Sequence, residues 1–559
     1  MRPSAPPAVG DGLTPTALAD SALVQRYQAT ITAAELAGHL YVYADDYLLG
    51  RATTLPGQRF ASRYLAGQYA AMGVAPKGSG PDNGNYGLDP YLQPFDLEGD
   101  VTTRADLTAT TAAGEPVAQA ADGPDPDGQA VLWFGSAQSA APAAVVFGGF
   151  GVRTNRYDDV SSLSDVDLNG KWLLLLGGDP AGPDGRSLAT EDGETSRFGS
   201  NPFTKAAALV RRGNAEHGLG GILIVAESDA QVAADAAERA GQVRSLRLPG
   251  DGADEEDPTP PIFMVAPSFA DALLAPSGQT AAALRTETSE AGAASVFELQ
   301  DVRLVAEIER ETRAVPTENV AALVEGSDPV LKDEVVVVSA HLDHIGGERT
   351  DDGTDAINNG ADDDGSGTVA LLEIAEAFRQ AALDGHGPRR SVLFLHVTGE
   401  EAGLRGSSYY TDREPLFPLE NTVANLNIDM IGRYDPTRGF ETTDYVYIIG
   451  GDLISQDLHD WNAGVNAATG TGLLLSDRFN SPDDPYQFFR RSDHWNFGKY
   501  DVPFIFYFTG THEDYHQPGD EADKIDYERL ARITRLVFGT AWEVSNREER
   551  PSVSGDGFD

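Results

Sequence analysis

Between Val335 and Asp429 the alternation of apolar and polar positions falls into a repeated layout. VVVVSAH, SVLFLHV and ANLNID are short, apolar, β-branched runs of the kind that form strands buried on both faces. Each ends in His, Asp or Glu: HLDHIG after the first, TGEEAGLRGS after the second, DMIGR after the third. Between the first two lies NNGADDDGSG, a glycine-rich acidic loop that leads into TVALLEIAEAFRQ, whose apolar spacing predicts an amphipathic helix. In an open α/β sheet, reactive groups gather outside the carboxyl ends of the strands, which is where these side chains fall.

The flanking chain extends the pattern. Helical periodicity runs over 17–72, with a break at TTLPGQ and an end at Gly73. Strand-like alternation follows in YLQPFDLEGDVTTRADLTAT, and the Ala/Gly/Pro/Asp-rich stretch 111–128 reads as a linker. From Gln129, VLWF, AAVVFGGFGV, KWLLLLGGD and GGILIVAES alternate with the helical stretch NPFTKAAALVRRGNAEHG, the texture of a separate compact domain. Strands resume after Val302, and the chain closes with the strand VPFIFYFTG, the loop THEDYHQPGDEADKID and the helix YERLARITRLVFGTAWEVSN. The expected architecture is α/β: a mixed, mostly parallel sheet flanked by helices, carrying an inserted α/β domain. The expected boundaries are a loose segment 1–16, a first part 17–128, an insertion 129–300, a second part 301–546 and a disordered tail 547–559.

Composition narrows the chemistry. The net charge of −46 excludes a nucleic-acid partner, since a phosphate backbone needs a basic face. Lysine is scarce, and so acidic a surface suits a high-salt habitat, where screening weakens self-repulsion. With no Cys, a metal would have to be held by imidazole and carboxylate. No run is long enough to span a bilayer, and the first residues show no export signal.

His341 offers an imidazole at a strand end, and Asp343 is spaced to accept its other ring N–H. Asp362 opens the acidic loop, where a carboxylate can bridge two ions. Glu400 and Glu401 follow a strand as neighbours, so that one can ligate while the other remains a base. Asp429 and His516 complete a set of nitrogen and oxygen donors suited to two zinc ions. His344, His386 and His396 are read as structural or exposed. Phe488, Phe489, Trp495, Phe497, Phe506 and Phe508 form an aromatic set able to wall a pocket, though strand patterning accounts for most of it. Tyr507 and His494 are candidate oxyanion donors.

The ordered set AHLDH, GADDDGSG, TGEEAGLRGS, NIDMIGR and DYHQPGD resembles the di-zinc aminopeptidases, a family that includes bacterial leucyl aminopeptidases and, more distantly, glutamate carboxypeptidase and transferrin receptor. The resemblance implies a zinc exopeptidase-like fold, an inserted protease-associated domain and peptide substrates. It makes Asp362 the metal bridge, with His341 and Asp429 on one zinc and Glu401 and His516 on the other. Glu400 becomes the general base acting through a bridging hydroxide, and Asp343 the residue orienting His341. It also implies secretion or a periplasmic setting, with a cytoplasmic one still open. The alternatives are a metallocarboxypeptidase, for which only Arg490-Arg491 supplies basic charge, a glutaminyl cyclase, and a non-catalytic receptor or scaffold of the same fold. The oligomeric state is not set by the sequence. Two departures from the family are the longer loop GGERTDDGTDAINN and Gln517-Pro518-Gly519 after His516.

Overall fold

The computed structural model describes residues 20–553 except 83–86, 123–128, 136–140, 165, 201–203, 207–208, 210–217, 240, 252–259, 351–352 and 482. The loose segment 1–16, most of the helical stretch after Asn201 and the end of the tail lie outside these residues. The chain divides into two compact units, one of Met1–Leu97, Arg247–Pro249 and Ala314–Asp559, the other of Glu98–Leu246 and Gly250–Arg313.

In the first unit, α1 (Ser21–Gln28), α2 (Ala33–Tyr43) and α3 (Pro56–Met72) precede the sheet. The periodicity expected over 17–72 is interrupted after α1, because Thr32 caps α2 by accepting from the Glu35 N–H. Pro56 opens α3, and Gly73 ends it in the left-handed region at φ 71°. The sheet order is β6-β5-β7-β4-β2-β3-β1, with β1 (Phe297–Val324, in this unit from Ala314 onward), β2 (Val335–His341), β3 (Ser391–Val397), β4 (Thr422–Ile428), β5 (Tyr445–Gly450), β6 (Leu474–Ser476) and β7 (Phe504–Phe508). The four strands β3, β2, β4 and β7 run parallel; β5 lies antiparallel to β7, and β1 antiparallel to β3.

Every residue of β2 and β3 is buried, as expected of central parallel strands with helices on both faces. Val336 and Val338 pack in one core with Phe378 of α4 (Gly367–Leu383) and with Phe538 and Trp542 of α7 (Tyr527–Asn546). Val335 and Val337 face the other way, toward Tyr410 of α5 (Arg405–Asp412) and Phe497. A further helix, α6 (Gln456–Thr469), packs on α7. Phe378 is fully buried against Phe538 and Trp542 of α7, and its truncation to Ala would cost about 3–5 kcal/mol. The start of the supposed tail is tied down: Arg550 pairs with Glu334 at 2.8 Å, and Ser552 N–H donates to Asp457 at 2.9 Å.

The second unit has its own parallel strands, Ala143–Phe147, Trp172–Leu176, Gly221–Val225 and Ile262–Val265, with Ala130–Phe134 antiparallel to the last. Its limits are Glu98 and Arg313 rather than 129 and 300. The reason is a hairpin: Pro116–Asp122, within the stretch read as a linker, pairs with Ala105–Thr110. Its small residues and its leading proline disguised the strand.

Candidate metal centre

The loops at the carboxyl ends of β2, β3 and β4 converge as the layout requires. His341 is the last residue of β2 and is 1% exposed. Its Nδ1 lies 3.1 Å from the Asp343 carbonyl oxygen, which fixes the ring so that Nε2 points inward. That Nε2 is 3.1 Å from Asp363 Oδ1 and 3.7 Å from Asp429 Oδ1. Asp429 is held in place by the Ser492 hydroxyl, which donates to Oδ2 at 2.7 Å. On the other side of Asp363, Oδ2 is 3.1 Å from His516 Nε2, and His516 Nε2 is 3.2 Å from Glu401 Oε2. His344 joins this side, with Nδ1 2.9 Å from Glu401 Oε1 and 3.7 Å from Asp363 Oδ2.

Two ligand groups result, His341/Asp363/Asp429 and His344/Asp363/Glu401/His516. Asp363 is common to both. The sequence reading put Asp362 at the shared position, and the structure corrects this by one residue. Asp362 Oδ1 accepts from the Gly432 N–H at 2.6 Å, and its Oδ2 faces His512 Nε2 at 3.4 Å, outside both groups. Asp364 is structural as well, accepting from the main-chain N–H groups of His341 at 3.1 Å and Gly367 at 2.8 Å. His344, read as structural, lies inside the second group.

The donor atoms suit a cation. His341 Nε2, His344 Nδ1, Asp363 Oδ2, Glu401 Oε1 and His516 Nε2 are buried and make no hydrogen bond. Orphaned polar atoms aimed at common points are costly unless a positive ion satisfies them. The protonation balance agrees. Burial opposes charging His341, yet Glu400, Asp363 and Asp429 raise its pKa well above the ordinary range. Burial also opposes ionising Asp363, but His344, His341 and His516 hold it well below the usual carboxylate range. The set demands positive charge, and in a donor set of nitrogen and oxygen, zinc is a suitable source.

Glu400 belongs to neither group, and it lines the same cleft as Asp363 and Asp429. Burial, with Glu401, Asp493 and Asp429 nearby, pushes its carboxyl well above the usual range. Asp343 spends its carboxylate elsewhere, accepting from Thr53 Oγ1 at 2.6 Å and from the Glu400 N–H at 3.3 Å. The cleft wall is Met430, Phe488, Phe506, Phe508 and Tyr515, with Arg491 at its edge. The two residues suggested as oxyanion donors are engaged: Tyr507 donates to Asn462 at 2.9 Å, and His494 Nε2 lies 3.0 Å from the Phe489 carbonyl oxygen.

Sequence reasoning missed Arg51. It is fully buried and donates to the carbonyl oxygens of Leu342 (3.2 Å), Asn359 (2.6 Å) and Gly360 (2.9 Å), tying the loop after β2 to the loop before Asp363. Gly360 has φ 58°, and a Cβ there would meet the His344 ring at 2.6 Å, so this loop requires glycine. Its glycine was legible in GADDDGSG; nothing local marked Arg51.

Fold and site together define a mixed, mostly parallel α/β domain whose strand ends carry clustered imidazoles and carboxylates. Residues 319–541 match the model of peptidase family M28. The chain is similar to an aminopeptidase of Bacillus subtilis, YwaD, 27% identical over 226 residues, covering 39% of this chain and 43% of the relative. It is also similar to a probable leucine aminopeptidase of Arthroderma otae, 29% identical over 224 residues, covering 39% and 56%. The chain thus spans about half the length of these curated relatives. Among solved structures, a zinc aminopeptidase from Bacillus subtilis superposes with a TM-score of 0.51 at 16% identity, over 95% of this chain and 98% of that one, which supports the fold.

Proposed function

We propose that the chain is a zinc-dependent aminopeptidase that removes N-terminal residues from peptides, with two zinc ions held by His341, Asp429, Glu401 and His516 and shared through Asp363. The observation that carries this reading is the placement of the two Asp363 carboxylate oxygens, each 3.1 Å from a different imidazole. His344 adds a donor on the Glu401 side.

Zinc bound there supplies a nucleophile from water near neutral pH and polarises the substrate carbonyl. Glu400 takes the proton from the attacking water as the new C–O bond forms, then delivers it to the amine as the C–N bond breaks. Its buried seat raises its basicity for that task. Tyr515 lines the cleft, and we assign its phenol as the donor to the developing oxyanion. Carboxylates around the site favour a free α-amine, and the walls formed by Phe488, Phe506 and Phe508 suit an apolar side chain.

One observation favours a second reading, a metallocarboxypeptidase. Arg491 stands at the cleft edge, its guanidinium 5.1 Å from the Phe488 ring centre, where it could meet a substrate carboxylate. A paired assay separates the two. An aminopeptidase releases p-nitroaniline from aminoacyl anilides with a free amine and spares N-blocked peptides; a carboxypeptidase does the reverse. We read the second unit as the protease-associated domain of this enzyme.

A further inference from the structure

A second cluster of ligand-type side chains lies on the helices, away from the strand ends. His39 of α2 presents Nε2 at 3.5 Å from Glu373 Oε1 of α4. Glu35, one turn before His39, and Glu376, three residues after Glu373, share the respective helix faces. Glu373 lies six residues into α4, about 9 Å along its axis from the end that carries the acidic loop.

Three features set this cluster apart from an ordinary solvated acidic face. Glu373 is 2% exposed and its Oε1 makes no hydrogen bond, so an unpartnered carboxylate oxygen is buried and aimed at the imidazole. The other ring nitrogen, His39 Nδ1, is 2.7 Å from the Tyr64 hydroxyl, which orients the ring and leaves Nε2 for the cluster. Among the described residues, no Lys or Arg is ion-paired with Glu35, Glu373 or Glu376, and Glu35 is near enough to add to the burial that raises the Glu373 and Glu376 carboxyls. Glu35 and Glu376 are exposed, so both can swing inward, and Glu35 Oε2 already accepts from Thr32 Oγ1 at 2.7 Å.

We propose that Glu35, His39, Glu373 and Glu376 form a further divalent cation site, of the zinc class, that clamps α2 to α4. One imidazole and three carboxylates drawn from two neighbouring helices make a donor set suited to such an ion. The site is structural in purpose, since its ligands join two helices of one core.

The test is a count of bound Zn²⁺ on full-length protein, first stripped with chelator, then saturated with Zn²⁺ and freed of excess. Glu373→Gln and His39→Gln should each hold one ion fewer than the unaltered chain, and Zn²⁺ should raise their melting temperatures less. His39 is partly exposed, so His39→Gln carries the count should Glu373→Gln fold poorly. The count is repeated with Asp363→Asn, which disables the strand-end site. That variant should keep one ion, lost when Glu373→Gln is added. Equal counts with and without the Glu373 and His39 changes overturn the helical site; undiminished binding by Asp363→Asn overturns the strand-end assignment instead.

Discussion

Asp343 orients His341 through its main chain and not through its carboxylate. The His341 Nδ1 lies 3.1 Å from the Asp343 carbonyl oxygen and 3.8 Å from Asp343 Oδ1. The carboxylate instead accepts from Thr53 and from the main chain of Glu400, so it links the loop after β2 to the loop after β3. Asp343→Asn should therefore displace Glu400 more than it frees His341. The expected loss is about 10–100-fold in kcat with zinc content largely kept. Thr53→Val should give a weaker effect of the same kind. Loss of zinc in Asp343→Asn, measured by elemental analysis, would place its main role on the imidazole.

The neighbouring aspartates should behave differently. Asp363 serves both ligand groups, so Asp363→Asn should strip most zinc and abolish turnover. Asp362 accepts from the Gly432 N–H and faces His512, and Asp362→Asn should retain zinc while lowering the melting temperature. An unpaired buried acceptor or donor costs about 1–3 kcal/mol, which sets the scale of that destabilisation. Interchanged phenotypes would restore Asp362 to the shared position.

Glu400→Gln removes a base while preserving shape. The variant should bind zinc as the unaltered chain does and lose at least about a hundredfold in kcat. KM for an aminoacyl anilide should change little. If zinc content falls with Glu400→Gln, then Glu400 and Glu401 have exchanged roles.

Stability should depend on pH through Glu373. Burial, with Glu35 and Glu376 nearby, pushes its carboxyl up to about 8 from an ordinary 4.5. His39, the imidazole facing it, has its pKa lowered by burial and so adds little positive charge at neutral pH. An unfolded chain releases the Glu373 proton near 4.5, whereas the folded one keeps it to about 8. The stabilisation by this group is therefore complete at low pH and is lost as the pH rises through that window. In chelated protein, Glu373→Gln should flatten the fall in melting temperature between about pH 5 and pH 8 relative to the unaltered chain. Parallel curves would contradict the assignment.

The convergence of ligands was legible because it rests on order: apolar runs that end in His, Glu or Asp can only bring those residues to one edge of a parallel sheet. His341, Glu401 and Asp429 stand at such ends, whereas His516 lies in the loop that follows β7. Asp363 does not follow from that order, since three consecutive aspartates in a loop have no periodicity to fix which one faces inward; the main-chain bonds made by Asp362 and Asp364 decide it. His344 was obscured by its neighbour, because a residue just past a strand end has no predictable side. Arg51 acts by donating to three distant carbonyls, a role that leaves no mark on local pattern. The hairpin at Pro116–Asp122 was hidden by composition, since its small residues form a strand through pairing and not through β propensity.

The central claim is tested most directly by returning zinc to chelated protein while following p-nitroaniline release from an aminoacyl anilide. Turnover should be absent before addition, appear as zinc is supplied, and fail to appear in Asp363→Asn. Turnover that persists in the chelated protein, or a zinc-loaded chain that cleaves none of a panel of free-amine substrates, would contradict it.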